Sequence, residues 1–115
     1  MDKIVWGFKA TSFMVRGGGG TVGLGVSGGD GVKGTIMVTM SVKNAETLVR
    51  AVVGAGAEWS EVEEVNGGRL LVKREEETWW FRQELRGGEM VSVALLDKAL
   101  VMAVLEELGA GMAKR

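Results

Sequence analysis

A chain of 115 residues, 46% hydrophobic and 25% charged, is of single-domain size and can bury a core. Its formal net charge of −1 supplies no global field to draw in nucleic acid, and the absence of His, Cys and Tyr removes the commonest general bases, nucleophiles and metal ligands. An enzyme is therefore not expected, nor a cofactor, a metal or a disulfide framework. The first residues show no apolar run long enough for a signal peptide or a membrane span, which points to a soluble, cytoplasmic protein away from membranes. With only Asn44, Asn66 and Gln83 as amides and no Cys, the composition leans towards a heat-adapted source. Residues 1–57 carry six bases against three acids, and residues 58–115 eight against twelve, so a local basic face is still open.

Lys3 to Val15 reads as a long strand, with Ile4, Trp6 and Phe8 on one parity and Val5, Lys9, Thr11, Phe13 and Val15 on the other; its buried face is not decided. Arg16-Gly17-Gly18-Gly19-Gly20 breaks it into a hairpin. The next strand, Thr21 to Ser27, puts Val22, Leu24 and Val26 on one face and Thr21, Gly23, Gly25 and Ser27 on the other. A face so poor in side chains lets a helix, a strand or a ligand come close. Gly23-Leu24-Gly25-Val26-Ser27-Gly28 fits a dinucleotide-binding pattern formally, but it precedes a strand where that fold requires a helix. Gly28-Gly29-Asp30-Gly31 then turns the chain back.

The stretch from Gly34 to Val53 organises the rest. Ile36, Val38, Met40 and Val42 alternate with Thr35, Thr39 and Ser41 as a half-buried strand. Asn44 is placed to cap a helix in which Ala45, Leu48, Val49, Val52 and Val53 form one apolar stripe. Gly54-Ala55-Gly56-Ala57 ends it. Trp59 to Val65 and Arg69 to Arg74 are strands around the Asn66-Gly67-Gly68 hairpin signal, and Glu75-Glu76-Glu77 leads to a strand over Thr78 to Leu85. After Arg86-Gly87-Gly88-Glu89 comes the last strand, Met90 to Asp97, with Asp97 capping a helix from Lys98 to Leu108. Met37-Val38-Thr39 is answered by Met90-Val91-Ser92, Asn44 by Asp97, and Gly54-Ala55-Gly56 by Gly109-Ala110-Gly111. The expected fold is α+β: one domain over 1–115, made of two degenerate repeats of antiparallel β-sheet followed by one α-helix, about 3–54 and 58–110. Ala99 to Leu105 is apolar without interruption, and Leu100, Val101, Val104 and Leu105 cannot all face one sheet, so the other side must meet the first helix or the same helix of a second subunit, and a homodimer through the C-terminal helix is expected.

On Thr78 to Leu85, Trp79, Phe81, Gln83 and Leu85 share the parity assigned to the core, leaving Trp80, Arg82 and Glu84 outward. Trp80 beside Arg82, with Lys73 and Arg74 on the adjoining strand, is an aromatic among cations, a combination that stacks a base and holds its phosphate. Arg16 and Arg86, each before glycines, and Lys9 on the first strand are further candidate cations. The acidic runs Glu61, Glu63, Glu64 and Glu75 to Glu77 are read as solvated, with no metal assigned.

Sheet-plus-helix units in which a strand carrying Met40-Ser41-Val42 runs into a helix resemble the repeats of PUR proteins and, more distantly, the Whirly proteins and the positive-cofactor-four transcription coactivators. The resemblance covers Ile36 to Val53 and, less fully, Met90 to Leu108. It implies curved sheets that present aromatic and basic residues to unpaired strands, and helices that pack sheets or subunits together. The function expected is binding of single-stranded DNA or RNA with little sequence preference. A dimeric protein–protein adaptor without catalytic activity is the alternative.

Overall fold

A computed structural model of the protein describes residues 4–28, 34–87 and 90–113. Gly29 to Gly31 of the second expected turn, and Gly88-Glu89 of the last, lie outside the described residues. The order is β1 (Ile4–Gly18), β2 (Thr21–Gly28), β3 (Thr35–Ser41), α1 (Val42–Val53), β4 (Ser60–Glu63), β5 (Arg69–Glu75), β6 (Thr78–Glu84), β7 (Met90–Asp97) and α2 (Lys98–Ala113). All seven strands join one sheet, β3-β2-β1-β7-β6-β5-β4, antiparallel except where β1 lies parallel to β7. The α+β class expected from the sequence is the class observed. The halves share a meander followed by a helix, but one has three strands and the other four.

β1 serves two neighbours in succession. Residues Ile4 to Lys9 pair with β7, and from Ala10 onward the strand pairs with β2, where Ala10 opposes Gly28 and Ser12 opposes Ser27. Thr11 is the extra residue of a β-bulge, and the bulge inverts the side-chain parity. Phe8 and Ala10 are buried before it, whereas Phe13 and Val15 face the core after it. The β1–β2 hairpin closes through Gly19 and Gly20, whose φ values of 64° and 81° suit a tight two-residue turn that bulkier residues resist.

β3, at one end of the order, also meets the other half of the sheet, through β6 and the segment that follows β4, so the sheet is rolled. The Val65 N–H donates to the Thr39 carbonyl (2.9 Å), and Gln83 Nε2 donates to the Met37 carbonyl (2.6 Å). The buried Glu64 carboxylate accepts from the Thr39 backbone N–H and from Gln83 Nε2, and Gly68 leaves the room it needs: a Cβ there would stand 2.6 Å from Glu64 Oε2. Inside the roll lies one apolar core, Val22, Leu24, Val26, Ile36, Val38, Met40, Leu70, Val72, Phe81 and Leu96 with the inward residues of both helices.

Both helices begin as the chain leaves a strand. Ser41, not Asn44, caps α1: its Oγ accepts from the Asn44 N–H (3.1 Å), because the helix starts at Val42 and Asn44 is already in its first turn. The Asn44 side chain instead donates to the Glu63 carbonyl across the seam. Asp97 caps α2 as expected, accepting from the Leu100 N–H (2.9 Å). α2 runs past Gly109 to Ala113, so those glycines do not stop it. Gly111 is there for contact, since a Cβ on Gly17 would run into the Gly111 carbonyl and the backbones of β1 and α2 touch. The rolled sheet covers more of α2 than a flat one could: Val101 and Val104 are buried, and Leu100 and Leu105 pack half-buried against the core. Those four residues therefore give no reason for a second copy, and Met102, 58% exposed, is the large apolar residue α2 leaves outside. Among the described residues no helix is long and apolar enough to cross a membrane.

Both the β1–α2 contact and the buried carboxylate of the seam bear on stability in ways that can be measured. Gly17→Ala sets a methyl group into the α2 backbone and should cost about 3 kcal/mol or more, seen as a large fall in Tm. Burial pushes the Glu64 pKa above its ordinary 4.5. The folded state then holds more protons than the unfolded chain between the two values, so this group's stabilisation is complete below about 4.5 and fades as pH rises through the folded value. Glu64→Gln should remove that loss, with a Tm advantage over the parent protein that grows from pH 4.5 upward in a series of thermal melts.

Candidate nucleic-acid interface

The helices lie against the inner face, which leaves the outer face of the sheet uncovered along β1, β7, β6 and β5. Cross-strand pairing puts Lys9, Leu95, Trp80 and Lys73 in one row of that face, and Val93, Arg82, Leu71 and Glu61 in the next. Trp80 is half-buried and outward, while Trp79 and Phe81 are buried inward, as the alternation required. Trp79 belongs wholly to the fold: its indole N–H donates to the Val52 carbonyl (3.1 Å), satisfying one of the open acceptors at the end of α1.

Lys73 is the centre of the outer cluster. Its Nζ stands 4.7 Å from the centre of the Trp80 ring and 4.8 Å from that of Trp59, and the Arg82 guanidinium stands 5.9 Å from Trp59. Trp59 was not among the residues the sequence singled out for the site. The register of the β4–β5 hairpin, with Ser60 opposite Val72, carries it to the level of Lys73, and that register follows from the Asn66-Gly67-Gly68 turn. On the other side of Trp80 a depression of about 450 Å³ opens, lined by Glu75, Glu76, Thr78 and Leu95.

The cations of this cluster are all paired. Glu84, only 6% exposed, lies between Arg69 (2.6 Å) and Arg82 (2.8 Å); Glu61 holds the other side of Arg69 (3.1 Å), and Glu75 holds Lys73 (3.2 Å). Arg69 is held more firmly protonated by Glu84 and Glu61. The outer face is thus a charge-balanced lattice of indoles, guanidiniums and carboxylates, not a basic patch. Of the acidic runs of the sequence, Glu61 and Glu75 are partners of these cations and Glu77 of Arg74; these three are exposed, as are Glu63 and Glu76, whereas Glu64 is buried in the seam.

Of the seven expected site residues, Trp80, Lys73 and Arg82 come together and Lys9 shares their row. Arg74 does not: it pairs with Trp79 on the inner parity, sits 4.7 Å from that ring and is tied to the Glu76 carbonyl and Glu77. The alternation that puts Lys73 outward turns Arg74 the other way. Arg86 lies in the turn after β6, over Gly67 of the neighbouring hairpin. Arg16 is on the outer face further along β1, opposite Gly23 of β2. Gly23-Leu24-Gly25-Val26-Ser27-Gly28 lies within β2 and opens no helix.

Comparison of the chain with family models, with curated proteins and with solved structures yields no match.

The two neighbouring indoles should separate cleanly on truncation. Trp79→Ala removes a buried ring and its hydrogen bond to the Val52 carbonyl, at a cost of about 3–5 kcal/mol. Trp80→Ala, at a half-exposed site, should move the denaturation midpoint by less than a third of that.

Proposed function

We propose that the outer face binds unpaired nucleic acid, DNA or RNA, with little sequence preference. The observation that carries the reading is the Trp59–Lys73–Trp80 cluster on a sheet face that no helix covers. Lys73 lies over the Trp80 ring, and the depression beside Thr78 and Leu95 gives a base room to stack against that indole from the Leu95 side. Lys9, exposed at the end of the same row and without a carboxylate partner among the described residues, can take a phosphate. The resemblance of Ile36 to Val53 to the PUR, Whirly and positive-cofactor-four proteins supports the same ligand.

Charge balance sets the strength of the interaction. A phosphate reaching Arg82 or Lys73 has to compete with Glu84 or Glu75, so modest affinity and a shallow salt dependence follow. The same balance favours a second reading, an adaptor whose partner is a protein surface of mixed charge and exposed side-chain apolarity. The first reading needs one chain. A homodimer through α2 would have Met102 as its main apolar contact.

Tryptophan fluorescence during titration with a short labelled oligonucleotide, single- or double-stranded, at two salt concentrations tests the proposal. Single strands should quench the emission and duplex should not. Trp80→Ala should weaken single-strand binding roughly ten- to a hundredfold, since stacking is worth about 1–3 kcal/mol per base. Glu84→Gln releases Arg69 and Arg82 and should tighten binding, steepening the slope of log affinity against log salt by about 0.7 for each further phosphate neutralised. A parent protein that ignores single strands at low salt would leave the adaptor reading in possession.

A further inference from the structure

The outer face has a second concave site, on the β1–β2–β3 side, that the Trp59–Lys73–Trp80 cluster does not use. Two rows of side chains cross it: Arg16, Gly23 and Thr39, and beside them Met14, Gly25 and Met37. With glycine in the middle of each row the sheet backbone itself is the floor, and the outer residues are the walls of a groove of about 260 Å³. The floor is open. A Cβ on Gly23 would meet nothing nearer than two backbone carbonyls at 3.8 and 3.9 Å, so no helix or strand packs there. At Gly25 a Cβ would stand 2.8 Å from the Met37 sulfur, with the Met37 methyl and the Met14 carbonyl at 3.8 and 3.9 Å, which shows the thioether leaning over the floor from one side. Met37 and Met14 are 59% and 48% exposed, two of the large apolar residues left exposed among the described residues.

The charge of this groove differs from that of its neighbour. Lys73, Arg69 and Arg82 all have carboxylate partners, whereas the exposed Arg16 has none among the described residues. Acidic side chains are also missing from the lining. A flat floor accepts a ring lying against the backbone. Thioethers on two sides suit an aromatic edge, the Thr39 hydroxyl can bond a ring heteroatom, and an unpaired guanidinium at the rim suits an anion. We infer that the groove is a small-molecule site for a flat heteroaromatic ligand carrying one anionic group, of the nucleoside monophosphate class. The ring lies on Gly23 between Met14 and Met37, and the phosphate meets Arg16. This site is independent of strand binding at Trp80.

The Met14 and Met37 methyl groups report on it directly. In the full chain carrying ¹³C-methyl methionine, titration with adenosine 5′-monophosphate to millimolar concentration should shift those two resonances and leave Met102 unmoved. Adenosine should shift the same pair with lower affinity. Arg16→Gln should lower the affinity for the monophosphate about tenfold and leave that for adenosine unchanged. Gly23→Val fills the floor without a backbone clash, so the variant should melt no lower than the parent and lose both ligands. The inference is overturned if the two methyls do not move, if Gly23→Val binds as the parent does, or if the monophosphate perturbs only the Trp59 and Trp80 indoles.

Discussion

Closure of the sheet on itself is the constraint from which the rest follows. A seven-stranded, mostly antiparallel sheet left flat would expose β3 and β4 as pairing edges and could cover only one side of each helix. Val65, Gln83 and Glu64 tie the β3 backbone at Met37 and Thr39 to the other end of the sheet, so the apolar faces of all strands turn towards one another with α1 and α2 between them. The seam is polar and mostly buried, which makes it costly unless every group finds a partner; among the described residues, no buried side-chain nitrogen or oxygen is left without one. Glu64 is the strained participant, held by its hydrogen bonds against the cost of its own burial.

Rolling also decides where function can reside. With the inner face of the sheet covered by both helices, the sheet surface left for a partner is its outer face. A face built of alternating side chains is selective about what it displays. Lys73 and Trp80 lie on the outer face, Arg74 and Trp79 on the opposite parity, although each pair is adjacent in sequence. The face divides chemically as well: around β5 and β6 it is aromatic and internally neutralised, and around β1 to β3 it is nearly bare backbone with thioether walls and one unpaired guanidinium.

Much of this was legible because period and punctuation are local. The parity of Thr78 to Leu85, the Asn66-Gly67-Gly68 hairpin and the Asp97 cap depend on neighbours within a few residues, and each appears where the pattern put it, although Leu85 falls just beyond the strand and is exposed. The failures have non-local causes. The buried face of the first strand was undecidable because both parities are used in turn, and the apolar residues themselves change parity between Phe8 and Phe13, the trace of the Thr11 bulge. The α1 cap is Ser41 because the helix begins at Val42, which leaves Asn44 in the first turn with its side chain on the Glu63 carbonyl, nineteen residues away. α2 looked in need of a partner because no stretch of sequence announces that a sheet will roll around it. Nor could the pairing of Glu84 with two arginines be seen, since it needs the register of β5 against β6, and that pairing is what turns an apparent basic site into a neutral one.

The parallel pairing of β1 with β7 sets an order of events. The first strand of the chain is central in the sheet, and its partner there is the last strand, more than eighty residues later. Gly17 similarly waits for Gly111 of α2. During synthesis from the N-terminus, β1, β2 and β3 can form a hairpin meander early and α1 can cover part of its apolar face, but one edge of β1 waits for β7 and the part of the face that α2 covers waits for that helix. Such a chain has high contact order, closes its longest loop late, and is most exposed to mispairing with other nascent chains until β7 and α2 have docked.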